Sequence, residues 1–129
     1  MSLRSPLGRV LGLGSARGGS HHWYGQRITA VALVILGAWF VASLAMLGNG
    51  LRYDAVLVWL RSPLSATLAV LLVVVSGHHA LLGLQVVVED YVGDKGLRTV
   101  VLVAIKFVLV TASLLGVLAV LRLALGAPE

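Results

Sequence analysis

The chain contains no cysteine, so it cannot by itself build a disulfide, an iron–sulfur cluster or a thiolate-ligated haem. Charge is scarce as well. Only 12% of the 129 residues are charged, about half the share of an ordinary soluble domain, while 59% are hydrophobic and the mean hydropathy is +1.00. Acidic residues are missing altogether from the first 27 positions, where Arg4, Arg9, Arg17 and Arg27 stand alone. In so apolar a chain this basic segment reads as a membrane-surface charge, not a nucleic-acid patch. No Asp or Glu lies inside any long apolar run, which disfavours an ion or multidrug transporter built around an intramembrane carboxylate. No internal repeat is visible either, which disfavours an inverted-repeat transporter.

What is present is three apolar runs, at residues 28–47, 64–88 and 99–121. At ~1.5 Å rise per residue, each can cross a hydrocarbon core of ~30 Å. The predicted fold is an all-α integral membrane protein: a cytoplasmic or interfacial segment over residues 1–27, then a three-helix transmembrane anchor over 28–129. Leu3, Leu7, Val10 and Leu11 recur at helical spacing, consistent with a short surface helix. A flexible glycine-rich stretch is expected from Gly12 to Gly25, ending in the interfacial residues His21, His22, Trp23 and Tyr24. The N-terminus begins at Met1 without the apolar core of a secretory signal, and is read as the unprocessed start of a bacterial protein. Six basic residues (Arg4, Arg9, Arg17, Arg27, Lys95, Arg98) fall on one side of the membrane and three (Arg52, Arg61, Arg122) on the other. The positive-inside rule then puts the N-terminus in the cytoplasm and the C-terminus in the periplasm.

The second run carries the chemistry. Gly77-His78-His79 interrupts it near its middle, and Asp90-Tyr91 closes it. His79 and Asp90 are eleven positions apart, about 16 Å and three turns, and so share a helix face. If Asp90 marks the cytoplasmic boundary, His79 sits near the bilayer centre. Ser76 and Gly83, one turn to either side, would leave room for a flat ring to meet an imidazole nitrogen, and imidazole is a good iron ligand. A hydrogen bond from the histidine to a neighbouring helix is an equally weighted reading of the spacing. One histidine makes only half of a bis-histidine site, so a partner helix must supply the other half. At the boundary, a Tyr91 phenol could donate to a quinone carbonyl while Asp90 orients it or relays a proton; the alternative is an ordinary aromatic belt and a helix end. Arg27 could reach a haem propionate or simply anchor the first span. Lys106, inside the third span, is read as snorkelling to the headgroups, and Ala112 with Gly116 as a small-residue helix contact.

These residues resemble a known family. His79-Ala80-Leu81-Leu82-Gly83-Leu84-Gln85, followed by Asp90-Tyr91, is similar to the signature of the smaller hydrophobic membrane anchor of succinate dehydrogenase, respiratory complex II. Gly14-Ser15-Ala16-Arg17, His22 and Gln26-Arg27 leading into Thr29-Ala30 resemble the segment before that family's first span. The resemblance implies an electron-transport subunit of the respiratory chain and tricarboxylic acid cycle, in a bacterial inner membrane. Its partners would be a flavoprotein subunit, an iron–sulfur subunit and a second membrane anchor, the cytochrome b subunit. It further implies that His79 is one axial ligand of a shared haem b, that Arg27 contacts a propionate, and that Tyr91 with Asp90 contributes to the ubiquinone site. The doubled histidine is resolved by register to Asp90-Tyr91, which selects His79. Alternatives are the anchor of a related quinone-linked dehydrogenase or fumarate reductase, and a haem-free structural membrane subunit. On any of these readings this chain does not itself oxidise succinate.

Overall fold

A computed structural model describes residues 19–47 and 51–126. The surface helix expected near residues 3–11 lies outside them. Four helices make up the described chain: α1 (Gly19–Met46), α2 (Tyr53–Arg61), α3 (Pro63–Tyr91) and α4 (Lys95–Leu125). Three of them, α1 from His22 onward, α3 and α4, are long and apolar enough to cross a membrane. The expected all-α class and three spans are therefore found.

The helices overrun the apolar runs at nearly every end, because hydropathy marks the part that lies in lipid whereas backbone hydrogen bonding continues into the headgroups. The difference is greatest at α1. Residues 19–25, expected to be flexible, are helical and continuous with the first span. The ends of α3 and α4 follow from local chemistry. Ser62 is extended (φ −66°, ψ 125°), as a residue before proline prefers, and Pro63 opens α3, where a missing N–H costs nothing. The Asp94 carboxylate accepts the Leu97 N–H at 2.7 Å and so caps α4. At the far end Gly126 adopts φ 65°, the left-handed position that stops a helix, and its N–H returns to the Arg122 carbonyl.

Helix α2 has no counterpart among the predicted elements. Its nine residues are too short to span, yet they set Leu60 inside the fold and bring Trp59 against α1. There the Trp59 and Trp39 rings stack at 5.7 Å, with Phe40 tilted against Trp59 at 6.1 Å. This aromatic cluster closes the end of the bundle away from Asp90.

Helix α3 is central. It packs closely on both α1 and α4, whose backbones do not approach each other among the described residues. Successive α3 residues therefore serve different neighbours. Gly77 and Val73 meet α4, where a β-carbon on Gly77 would collide with the Ser113 hydroxyl and one on Gly116 would come within 2.9 Å of Val73. His79, Leu82 and Gly83 meet α1. Among the described residues the buried apolar side chains are Leu36, Leu60, Ala69 and Val88 only. Most of the apolar surface points outward, as expected of helices solvated by lipid and by other subunits.

Candidate functional site

The α1–α3 seam is built on the α1 face formed by His22, Gln26 and Thr29, four and three residues apart and hence aligned along one side of the helix. Three polar features of this face engage α3. The His22 Nε2–H donates to the Leu82 carbonyl at 3.1 Å. Thr29 Oγ1 lies 2.8 Å from His79 Nδ1. Gln26 lies against Gly83, its Nε2 3.5 Å from where a β-carbon would stand, and its Oε1 is buried without a partner among the described residues. The space beside Gly83, read from sequence as room for a flat ring, is thus used by a neighbouring helix.

His79 is half-buried and ordered at one nitrogen only. Among the described residues its Nε2 makes no hydrogen bond. His78 is exposed beside a shallow groove of about 260 Å³ whose walls include Gly77, Leu109 and Ser113, and neither of its ring nitrogens is bonded within the described chain. The two histidines thus face different surroundings, as their ~100° offset requires. The cross-helix hydrogen bond and the ligand reading of His79 do not compete, because they use different nitrogens. No group of three or more His, Cys, Asp or Glu side chains gathers among the described residues, so a polydentate site for a bare ion is not formed there. A single axial imidazole for a porphyrin-bound iron, completed by a partner, suits this donor set.

Asp90 and Tyr91 finish α3 at the end where α1 and α4 begin, and both are exposed, Tyr91 at 85%. Neither makes a side-chain hydrogen bond among the described residues. Glu89 instead accepts from Gln85 Nε2 at 2.9 Å, one turn back. Asp90 keeps the register with His79 that the sequence implied, eleven residues and about 16 Å along one helix.

Arg27 is not brought together with His79. It lies about 200° around α1 from Thr29, its guanidinium 4.7 Å above the Trp23 ring, at an open pocket of about 340 Å³ lined by Trp23, Tyr24, Ile28 and Val31. Lys106 is exposed next to Phe107 on the outer side of α4. Two participants are not marked out by residue type. By sequence His22 is one of two interfacial histidines, and Thr29 is only part of a family segment. The i, i+4, i+7 spacing of His22, Gln26 and Thr29 is the available signal, since polar residues aligned on one face at the start of an apolar run seek a neighbouring helix.

Residues 1–118 match the family model described as succinate dehydrogenase/fumarate reductase transmembrane subunit. The chain is also similar to the succinate dehydrogenase hydrophobic membrane anchor subunit of Rickettsia bellii, with 36% identity over 104 residues, 80% of this chain and 82% of the relative. The protein of that name from Rickettsia conorii is 33% identical over 100 residues, 76% of this chain and 79% of the relative. That from Paracoccus denitrificans is 31% identical over 87 residues, 67% of each chain.

Proposed function

The chain belongs to the succinate dehydrogenase/fumarate reductase transmembrane subunit family, as a hydrophobic membrane anchor, and from that membership we propose that it holds one side of a haem b and part of a ubiquinone-reduction site. The observation that carries this reading is His79. From the middle of a membrane-spanning helix whose exposed end bears Asp90 and Tyr91, it presents an Nε2 that no described residue engages. Supporting it is the economy of the fold, in which an ionisable ring at membrane depth is costly unless it is used.

In this reading His79 would hold the haem iron from this chain and the second membrane anchor, the cytochrome b subunit, would hold it from the other side. A haem held there would supply reversible one-electron chemistry. Arg27, steadied by Trp23, offers a cation on the outer face of α1 to an anionic group such as a propionate. Reduction of ubiquinone to quinol takes up two electrons and two protons. Electrons come from succinate through the flavoprotein and iron–sulfur subunits. The Tyr91 phenol donates a hydrogen bond to a quinone carbonyl and polarises it, while Asp90 beside it holds or passes a proton at a boundary that water can reach. Both side chains stand clear of their own helix bundle, which suits a site finished by another subunit. The assembly sits in a bacterial inner membrane, with the N-terminus cytoplasmic and the C-terminus periplasmic, following the excess of Lys and Arg on the side of residues 27, 95 and 98.

The test is a reduced-minus-oxidised visible spectrum of the purified native assembly carrying His79→Ala or His78→Ala. Loss or clear alteration of a b-type signal in His79→Ala alone is expected. A signal unchanged in both variants removes histidine ligation by this chain, and succinate-driven quinone reduction then separates a quinone-only anchor from a structural one.

A further inference from the structure

Thr29 has one hydroxyl proton, and two backbone carbonyls stand ready to take it: Gly25 O at 2.8 Å and Gln26 O at 3.1 Å. A carbonyl oxygen can only accept. Threonine in a helix commonly bonds back to the i−4 or i−3 carbonyl in this manner, and its branched β-carbon leaves few other rotamers. With the hydroxyl proton committed to the α1 backbone, Oγ1 meets His79 Nδ1 at 2.8 Å with lone pairs only. The proton between them must then come from the imidazole. A neutral ring protonated at Nδ1 carries its free electron pair on Nε2, the nitrogen that makes no hydrogen bond among the described residues.

The other histidines whose side chains are described sharpen the assignment. His22 spends its Nε2 on the Leu82 carbonyl. His78 has neither nitrogen ordered by a described residue. His79 alone of the three combines an ordered Nδ1 with an open Nε2.

We propose that Thr29 is the positioning residue for His79: its hydroxyl, pinned to the Gly25 carbonyl, fixes the Nδ1–H tautomer and the ring orientation, and so presents Nε2 as an electron-pair donor to iron. The inference rests on the axial-ligand reading above and adds a second helix to it. An acceptor on Nδ1–H raises the basicity of a ligating imidazole, which favours the oxidised metal and lowers its reduction potential; loss of such an outer partner typically weakens metal binding by roughly 10–100-fold. The α1–α3 seam therefore tunes the redox site as well as holding two helices together.

The experiment uses the assembled complex with Thr29→Val and Thr29→Ser, reading haem dissociation and the haem midpoint potential. Val keeps the shape and removes the hydroxyl, whereas Ser keeps the hydroxyl and removes the methyl. Expected are haem binding weakened by about 10–100-fold and a raised potential in Thr29→Val, with both close to wild type in Thr29→Ser. A purely packing role gives the opposite order, with Val harmless and Ser the worse, and that order would overturn the proposal, as would wild-type affinity and potential in Thr29→Val. His79→Ala in the same series separates the two levels. If it loses haem while Thr29→Val changes nothing, ligation stands and the role of Thr29 falls; if it keeps an unaltered haem, the ligand assignment falls and this inference with it.

Discussion

The two faces of α3 are joined to their neighbours by different means. Toward α4 the contact is steric: Gly77 and Gly116 remove side chains so that Ser113 and Val73 can close in. Toward α1 it is polar, with His22 on the Leu82 carbonyl and Thr29 on His79. In lipid, where apolar surface gains nothing by leaving its solvent, close packing and hydrogen bonding are the forces left to join helices. This protein uses one on each side. The glycine seam fixes a distance, and a larger residue there must displace Ser113 or Val73, while the polar seam fixes the orientation of the His22 and His79 rings.

Substitutions that exchange one kind of contact for the other test this division. The largest effect is expected from Gly77→Ala, because its new methyl would occupy the place of the Ser113 hydroxyl; overpacking of this kind typically costs about 1–3 kcal/mol. Thermal unfolding of the detergent-solubilised complex should show the loss, and Ser113→Gly on top of it should recover most of it. A Gly77→Ala variant as stable as wild type would mean that the α3–α4 seam is looser than its geometry indicates. His22→Leu should cost less, about 1 kcal/mol for one hydrogen bond, with the same measurement and no recovery from Ser113→Gly. Were His22→Leu the more damaging of the two, the ranking of the seams would reverse. The smallest effect belongs to neither seam. Arg52 and Asp54 form an ion pair at 3.2 Å with both side chains largely exposed, and Arg52→Ala should leave the unfolding temperature unchanged within error.

Hydropathy alone locates all three spans, because a membrane-crossing segment must be continuously apolar and nothing else in a short chain is. His79 and Asp90-Tyr91 stand out for the converse reason, as polar groups where polar groups are expensive or at the edge of that region. Helix α2 escapes because nine residues mixing Tyr53, Asp54 and Arg61 with Val56, Leu57 and Leu60 satisfy no membrane criterion; the alignment of Val56, Trp59 and Leu60 on one face is the usable clue. Gly83 shows a different limit. Its small size is legible, but which body fills the space depends on which helix crosses there, and Gln26 does. The partnership of Thr29 with His79 is illegible for the same reason, since residues fifty positions apart meet only through the crossing of two helices.

The small interior of this bundle also bears on how many copies of the chain a cell can keep. With four buried apolar side chains among the described residues, most of the apolar surface is left to lipid and to other subunits, and any partner that binds the folded chain adds to its stability by mass action. A copy made in excess of its partners would leave His78, Asp90 and Tyr91 uncovered, and with them a surface open to the proteases that clear unassembled membrane proteins. On these terms the lifetime of the chain is expected to follow the supply of the subunits that cover it.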